Sequence, residues 1–306
     1  MADKTTNNTD INIDIDTVQP QVDSYEEVEQ TTSEESNSEI AEEEIDEDDI
    51  AISDKNSPII MLFGPRSSGK SMTLVRLSRY LRDNDYSIIV DETFKSGAVH
   101  KKRCQDFLNN LNTREALPGT PYKDFLLVKV SKHGTTICQF LEAPGEHYFD
   151  PKDIDASNFP PYMTEIIRKL PNRKIWTFVT EAKWDVSHQV KNAYVDRIRN
   201  CKNVLMQSTD RCIIMYNKID LQTHLFENGK IHLLPAEITM RQEYDGLANV
   251  FRNTNPITSL WRPYNYKFVP FCTGYYFKEK GKLKYKNSED MYPKMLWDAL
   301  CKCIKG

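Results

Sequence analysis

Ile59-Ile60-Met61-Leu62-Phe63-Gly64-Pro65-Arg66-Ser67-Ser68-Gly69-Lys70-Ser71 is the stretch that decides how this 306-residue chain is read. Five consecutive apolar residues, 59–63, predict a strand buried on both faces. Leu74, Leu77 and Leu81 then recur at three- and four-residue intervals, which predicts an amphipathic helix over about 71–82. A glycine-rich turn between a strand and a helix lets successive backbone N–H groups converge on one anion. The octet 64–71 matches G-x-x-x-x-G-K-[ST]. In that pattern Lys70 supplies a point charge to the β/γ-phosphates and the Ser71 hydroxyl can ligate Mg²⁺. Gly64, Pro65, Arg66, Ser67, Ser68, Gly69 and Met72 complete the phosphate cradle. The segment predicts binding of a nucleoside triphosphate.

Working outward, strands are expected over 86–91, 125–130, 135–142, 174–180, 211–216 and 267–271. Helices are expected over 104–111, 163–170, 186–199 and 292–304. The four residues Ser131-Lys132-His133-Gly134 fit the connection of an antiparallel hairpin. Strands alternating with helices predict an α/β domain with a mostly parallel central sheet and one antiparallel strand. Residues 222–263 give no clear periodicity.

Charge divides the chain. The formal net charge is −5, but residues 1–55 hold nineteen Asp and Glu against Lys4 and Lys55, leaving −17. The other 251 residues carry 38 basic and 26 acidic side chains, or +12. The acidic part has no Phe or Trp and only Tyr25, too little apolar surface to offset the entropy of ordering. Residues 1–56 are therefore expected to be a disordered tail and 57–306 a single domain. Apolar runs of about five residues exclude a membrane helix, which needs about 20. The opening Met-Ala-Asp-Lys-Thr-Thr carries no apolar stretch, so no secretory signal is expected. Seven scattered cysteines without C-x-x-C spacing give neither a disulfide framework nor a zinc site. A cytoplasmic protein is expected. The +12 domain suits an anionic partner, but no nucleic-acid motif accompanies it.

Asn217-Lys218-Ile219-Asp220 follows a buried-looking strand. An Asp carboxylate can accept two hydrogen bonds from guanine N1–H and N2–H₂, a donor pair that adenine lacks. The Asn217 amide can reach N7 and the Lys218 stem can lie over the base. Together with the phosphate loop, this motif resembles the P-loop GTPases of the translation-factor-related, Ras-like class. The resemblance covers roughly residues 57–306, and the predicted hairpin at 125–142 accords with it.

The resemblance implies a three-layer P-loop fold, GTP and Mg²⁺ as ligands, and a protein effector or activator. The family's D-x-x-G motif stands here as Glu142-Ala143-Pro144-Gly145, with Glu142 holding Mg²⁺ and Gly145 donating its N–H to the γ-phosphate. Its switch threonine would be Thr120, 22 residues before Glu142, with Thr113 as the alternative. Cys272-Thr273-Gly274 would present an N–H to guanine O6. Where Ras-like enzymes have a water-orienting Gln, this chain has Glu146 followed by His147. Arg66 occupies a loop position where those proteins prefer Gly. The Pro-Gly-Glu run and the acidic tail are also similar to bacterial double-GTPases of the conflict-system type.

These features predict a GTP-binding switch with slow hydrolysis. A hydrolysis-poor nucleotide scaffold is the alternative, since Glu146 and Arg66 are poor substitutes in catalysis. A second alternative is an ATPase or kinase in which Asp91, ending the 86–91 strand, holds the metal among parallel strands.

Overall fold

The computed structural model describes residues 52–113, 125–154, 159, 164, 167–227, 230–279 and 282–306. A seven-stranded sheet runs in the order β2-β3-β4-β1-β5-β6-β9. Its strands are β1 Ile59–Phe63, β2 Ser87–Val90, β3 Leu126–Lys132, β4 Thr135–Glu142, β5 Lys174–Glu181, β6 Arg211–Asn217 and β9 Lys267–Pro270. All five residues of β1 are buried, so both faces of the sheet are covered at its centre. β1 pairs in parallel with β4 and β5, and β6 pairs in parallel with β5 and β9. β2 and β3 form the antiparallel edge.

Two helix groups flank the sheet. Helix α1, Lys70–Arg82, packs against α2, Ala98–Asn112, and against the closing α7, Met291–Ile304. The single turn α3, Gly145–Tyr148, precedes α4, His188–Val204. α4 packs against the short α6, Leu247–Val250. The end of β1 is locked by an aromatic cluster in which the Phe63 ring lies 4.5 Å from Tyr148 and 5.1 Å from Phe178. Burial of such rings is worth roughly 2–3 kcal/mol each before entropy is counted.

Most expected elements are present with boundaries moved by one or two residues, but four differ more; α4, expected to end at 199, runs on to Val204. The hairpin turn is tighter than expected, because β3 continues through Lys132 and leaves His133 and Gly134, both at positive φ, to reverse the chain. Helix α2 starts six residues earlier than the apolar spacing indicates, since its first turn buries only His100. Of the helix expected over 163–170, residues 164 and 167–170 are described; 164 and 167–169 are helical and Leu170 is not.

The stretch 222–263 contains a two-stranded ribbon, β7 Phe226–Glu227 with β8 Lys230–Ile231, and helix α5, Leu233–Glu243, before α6. A hairpin without a sequence-based expectation follows β9: β10 Gly274–Glu279 with β11 Lys282–Asn287.

Residues 52–56, which the charge count groups with the acidic segment, are bonded to the domain. The Ser53 hydroxyl donates to Asp91 at 3.0 Å, and the Asp54 carbonyl accepts from Asn172 at 2.8 Å and Gln139 at 2.9 Å. The rest of the expected tail, 1–51, lies outside the described residues.

Candidate functional site

The carboxyl ends of β1, β4, β5, β6 and β9 meet on one side of the sheet, where open α/β sheets bind ligands. Register places Glu142 beside Leu62, Glu181 beside Asn217, and Tyr216 beside Pro270. Residues far apart in sequence thus converge because each ends a strand.

The phosphate loop follows β1. Ser67 and Gly69 adopt positive φ, 62° and 88°, which wraps the chain back on itself. The Lys70 ammonium donates to the Gly64 and Pro65 carbonyls at 2.9 and 2.8 Å, and the Ser68 hydroxyl donates to Pro65 at 2.8 Å. Burial pulls the Lys70 pKa down to about 8, against the opposing pull of Glu142, Glu146 and Glu181. Phosphate oxygens would offer this ammonium charge-assisted bonds, stronger than those of the neutral carbonyls it now holds. Met72 is a buried residue of α1.

Gly69 has a second duty. A β-carbon there would sit 2.4 Å from Asn217 Nδ2, and the φ of +88° disfavours any side chain. Gly69→Ala is expected to destabilise the fold by about 1–3 kcal/mol and to weaken every nucleotide, read by thermal melting and binding assays.

At the end of β4 the Ser71 hydroxyl donates to Glu142 Oε1, and Arg103 pairs with Glu142 Oε2 at 3.2 Å. Glu142 is only 2% exposed. A hydroxyl and a carboxylate side by side are hard oxygen donors of the kind Mg²⁺ takes when nucleotide phosphates and water supply the remaining ligands. The donor set fits, and no cluster of three or more His, Cys, Asp or Glu competes for a metal among the described residues. Thr120 lies outside the described residues. Thr113 ends α2 with its carbonyl bonded to Arg79.

Asp91 does not meet the demands of the ATPase reading. It follows β2, with β3 and β4 between it and β1, and of the three ladders on the way β2–β3 and β3–β4 are antiparallel and only β4–β1 is parallel. Its carboxylate is held by Lys129 at 2.7 Å, Thr93 at 2.6 Å and Ser53 at 3.0 Å. Burial favours its protonation, but these bonds keep its pKa below the ordinary value.

The third segment closes over the loop. A β-carbon on Gly145 would lie 2.4 Å from the Arg66 nitrogen and 2.6 Å from the Pro65 carbonyl carbon. Only a glycine lets the two backbones meet so closely. Arg66 and Glu146, the two departures from the Ras-like pattern, form an ion pair at 3.1 Å. Their side chains are 70% and 23% exposed. His147, in contrast, is buried, with its ring 6.2 Å from that of Phe125. In this conformation it is a core residue, and orienting water would require the loop to move.

In the N-K-x-D segment, Asn217 Nδ2 donates to the Ser68 carbonyl at 2.9 Å, tying this segment to the candidate phosphate loop. Its Oδ1 is buried without a partner among the described residues. Lys218, at φ 57°, pairs with the buried Glu181, so the stem expected over a base is anchored at its tip. Burial, and after it the nearby Asp220 carboxylate, pushes the Cys272 thiol pKa up, and the Ile219 N–H donates to the Phe271 carbonyl at 3.2 Å. The Thr273 methyl would lie 3.6 Å from a β-carbon on Gly69. All three motifs therefore form one cluster.

Arg103 and Glu181 have no motif to announce them and were missed by sequence reasoning. A partial signal for Glu181 lies in its place at the end of an apolar strand run. Tyr244, from the stretch without clear periodicity, exchanges hydrogen bonds of 2.8 and 3.0 Å with the Glu181 backbone and so fixes that strand end.

No protein-family model matches the chain, and no curated protein matches it. Its fold is similar to a bacterial selenocysteine-specific elongation factor, EF-Sec, at 10% identity over 82% of this chain and 29% of that one, TM-score 0.38. It is similar to Roco2 RocCORdC of Methanosarcina barkeri bound to GDP, at 13% identity over 71% and 44%, TM-score 0.30. A third likeness is to the GTPase-like domain of S. cerevisiae Ski7 bound to GDP and inorganic phosphate, at 14% identity over 71% and 43%, TM-score 0.38. The chain spans less than half the length of each. Likeness at this level carries no argument about ligand, and the functional reading rests on the site. Among the described residues no helix is long and apolar enough to cross a membrane.

Proposed function

We propose that this chain is a guanine-nucleotide-binding P-loop protein that hydrolyses GTP slowly and changes the segments around Gly145 with nucleotide state. The observation that carries the reading is the bond from Asn217 to the Ser68 carbonyl. It places the candidate base-reading segment directly against the candidate phosphate loop, as a single nucleotide spanning both would require. Lys70 and the loop amides hold the phosphates, and Asp220 with the Cys272–Gly274 loop reads guanine. Ser71 and Glu142 would hold Mg²⁺, which when bound neutralises charge on the phosphate oxygens. The sequence resemblances extend the proposal to a protein effector or activator and to the double-GTPase type, and cytoplasmic action is proposed with them.

The Arg66–Glu146 pair favours the scaffold reading as a second possibility. A carboxylate engaged by a guanidinium is a poorer acceptor for water, and its charge opposes approach to the γ-phosphate. An exposed pair of this kind is worth roughly 0–1 kcal/mol, so a bound nucleotide can open it. Intrinsic single-turnover hydrolysis is expected no faster than about 10⁻⁴–10⁻² s⁻¹, and Glu146→Gln should raise it by removing the charge. A rate above about 1 s⁻¹ for the unassisted protein would rule out this account of Glu146. Nucleotide affinity measured alongside separates a slow GTPase from a protein that binds no GTP.

A further inference from the structure

Both carbonyls of the Cys272-Thr273 segment are tied down by the hairpin that follows it. The Ser288 hydroxyl donates to the Cys272 carbonyl at 2.6 Å, and the Tyr285 hydroxyl donates to the Thr273 carbonyl. Tyr285 is fully buried and Ser288 is 4% exposed. Gly274, at φ 147°, lies against the Tyr285 ring, where a β-carbon would come within 2.7 Å.

Ser288 is fixed in turn by Arg76, a helix α1 residue that is 1% exposed. Arg76 donates to the Ser288 carbonyl at 2.8 Å and pairs with Asp290 at 2.5 Å. The cost of burying a guanidinium is offset only where its geometry is fixed by such bonds. A chain of contacts thus runs from the helix that begins at Lys70, through Ser288, to the loop beside Asp220.

In a trans peptide the C=O and N–H point in opposite directions. Turning the Cys272 carbonyl to Ser288 therefore turns the Thr273 N–H the other way. Among the described residues the Thr273 N–H makes no hydrogen bond, which leaves it available to a purine.

We infer that Ser288, braced by Arg76, and Tyr285 are positioning residues that aim the Thr273 N–H at the six-position oxygen of the purine. Neither touches the base. Ser288 fixes the Cys272–Thr273 peptide plane that carries this N–H, and Tyr285 fixes the next plane, Thr273–Gly274; together they set discrimination at purine O6 separately from the reading of N1–H and N2–H₂ by Asp220. The inference rests on the guanine-binding reading proposed above and specifies how one edge of the base is read.

The test is equilibrium binding of three triphosphates to the full chain and to its Ser288→Ala and Tyr285→Phe variants. GTP and inosine triphosphate both carry O6, whereas 2-aminopurine riboside triphosphate has hydrogen there. Each variant is expected to bind GTP and inosine triphosphate roughly five- to tenfold more weakly, the loss typical of one misaligned hydrogen bond. The 2-aminopurine nucleotide should change by less than about twofold, and melting temperatures measured in parallel identify any variant that fails to fold.

Equal losses for all three nucleotides in either variant, or unchanged GTP binding in both, would overturn the inference. Two variants from different elements keep it testable should one be unfolded. A wild-type protein that does not prefer GTP to the 2-aminopurine nucleotide would overturn the guanine reading itself, and so separates the two failures.

Discussion

Asp220→Asn is expected to weaken GTP binding roughly 30- to 1000-fold, or about 2–4 kcal/mol. The carboxylate accepts from two guanine donors in the proposed complex, and the amide turns one acceptor into a donor facing a donor. Both bonds are charge-assisted, and the mismatched groups are left partly desolvated. Xanthine carries an oxygen where guanine has its N2 amine, so the Asn amide complements it and xanthosine triphosphate should gain affinity. Titration calorimetry with the two nucleotides reads both effects. An Asp220→Asn protein that binds GTP normally would remove the basis for base reading at this position.

Lys70→Ala should be more damaging and indifferent to base. Its ammonium is buried and already aimed into the loop, where the Gly64 and Pro65 carbonyls hold it. Removal deletes the loop's cation and leaves those carbonyls without their donor. A loss of about 3–5 kcal/mol is expected for GTP, GDP and ATP analogues alike, more than 100-fold in affinity. Read beside Asp220→Asn, it separates phosphate binding from base binding in one assay. Circular dichroism of both variants checks that the domain remains folded.

Much of this site was legible because its residues end strands. The apolar runs at 59–63, 135–142 and 211–216 are strong strand signals, and the residues that follow them fall together once the strands are parallel. Sequence also predicted the antiparallel edge, since β3 and β4 are separated by a turn too short for a crossover.

The missed parts share a physical cause. In α5, Leu233, Leu234 and Ile238 are exposed while Ala236 and Met240 are buried, so apolar residues occur on both faces and blur the helical period. The β10–β11 hairpin leaves Tyr275, Tyr276 and Phe277 consecutively exposed, and its second strand alternates lysines with Leu283 and Tyr285. Only the second strand carries the period-2 alternation of a half-buried strand, and the first strand lacks it. Arg66 and Glu146 were each identified as departures from the Ras-like pattern, but their pairing depends on a turn that brings positions 80 residues apart within 3.1 Å.

The central claim is that one pocket reads both phosphate and guanine. Its most direct test is a binding panel of GTP, GDP, ATP and xanthosine triphosphate on the wild-type chain with Mg²⁺. GTP and GDP should bind at least about 100-fold more tightly than ATP, the difference expected from losing two charge-assisted hydrogen bonds. Xanthosine triphosphate should fall with ATP. Equal affinity for GTP and ATP, or a preference for ATP, would contradict the account.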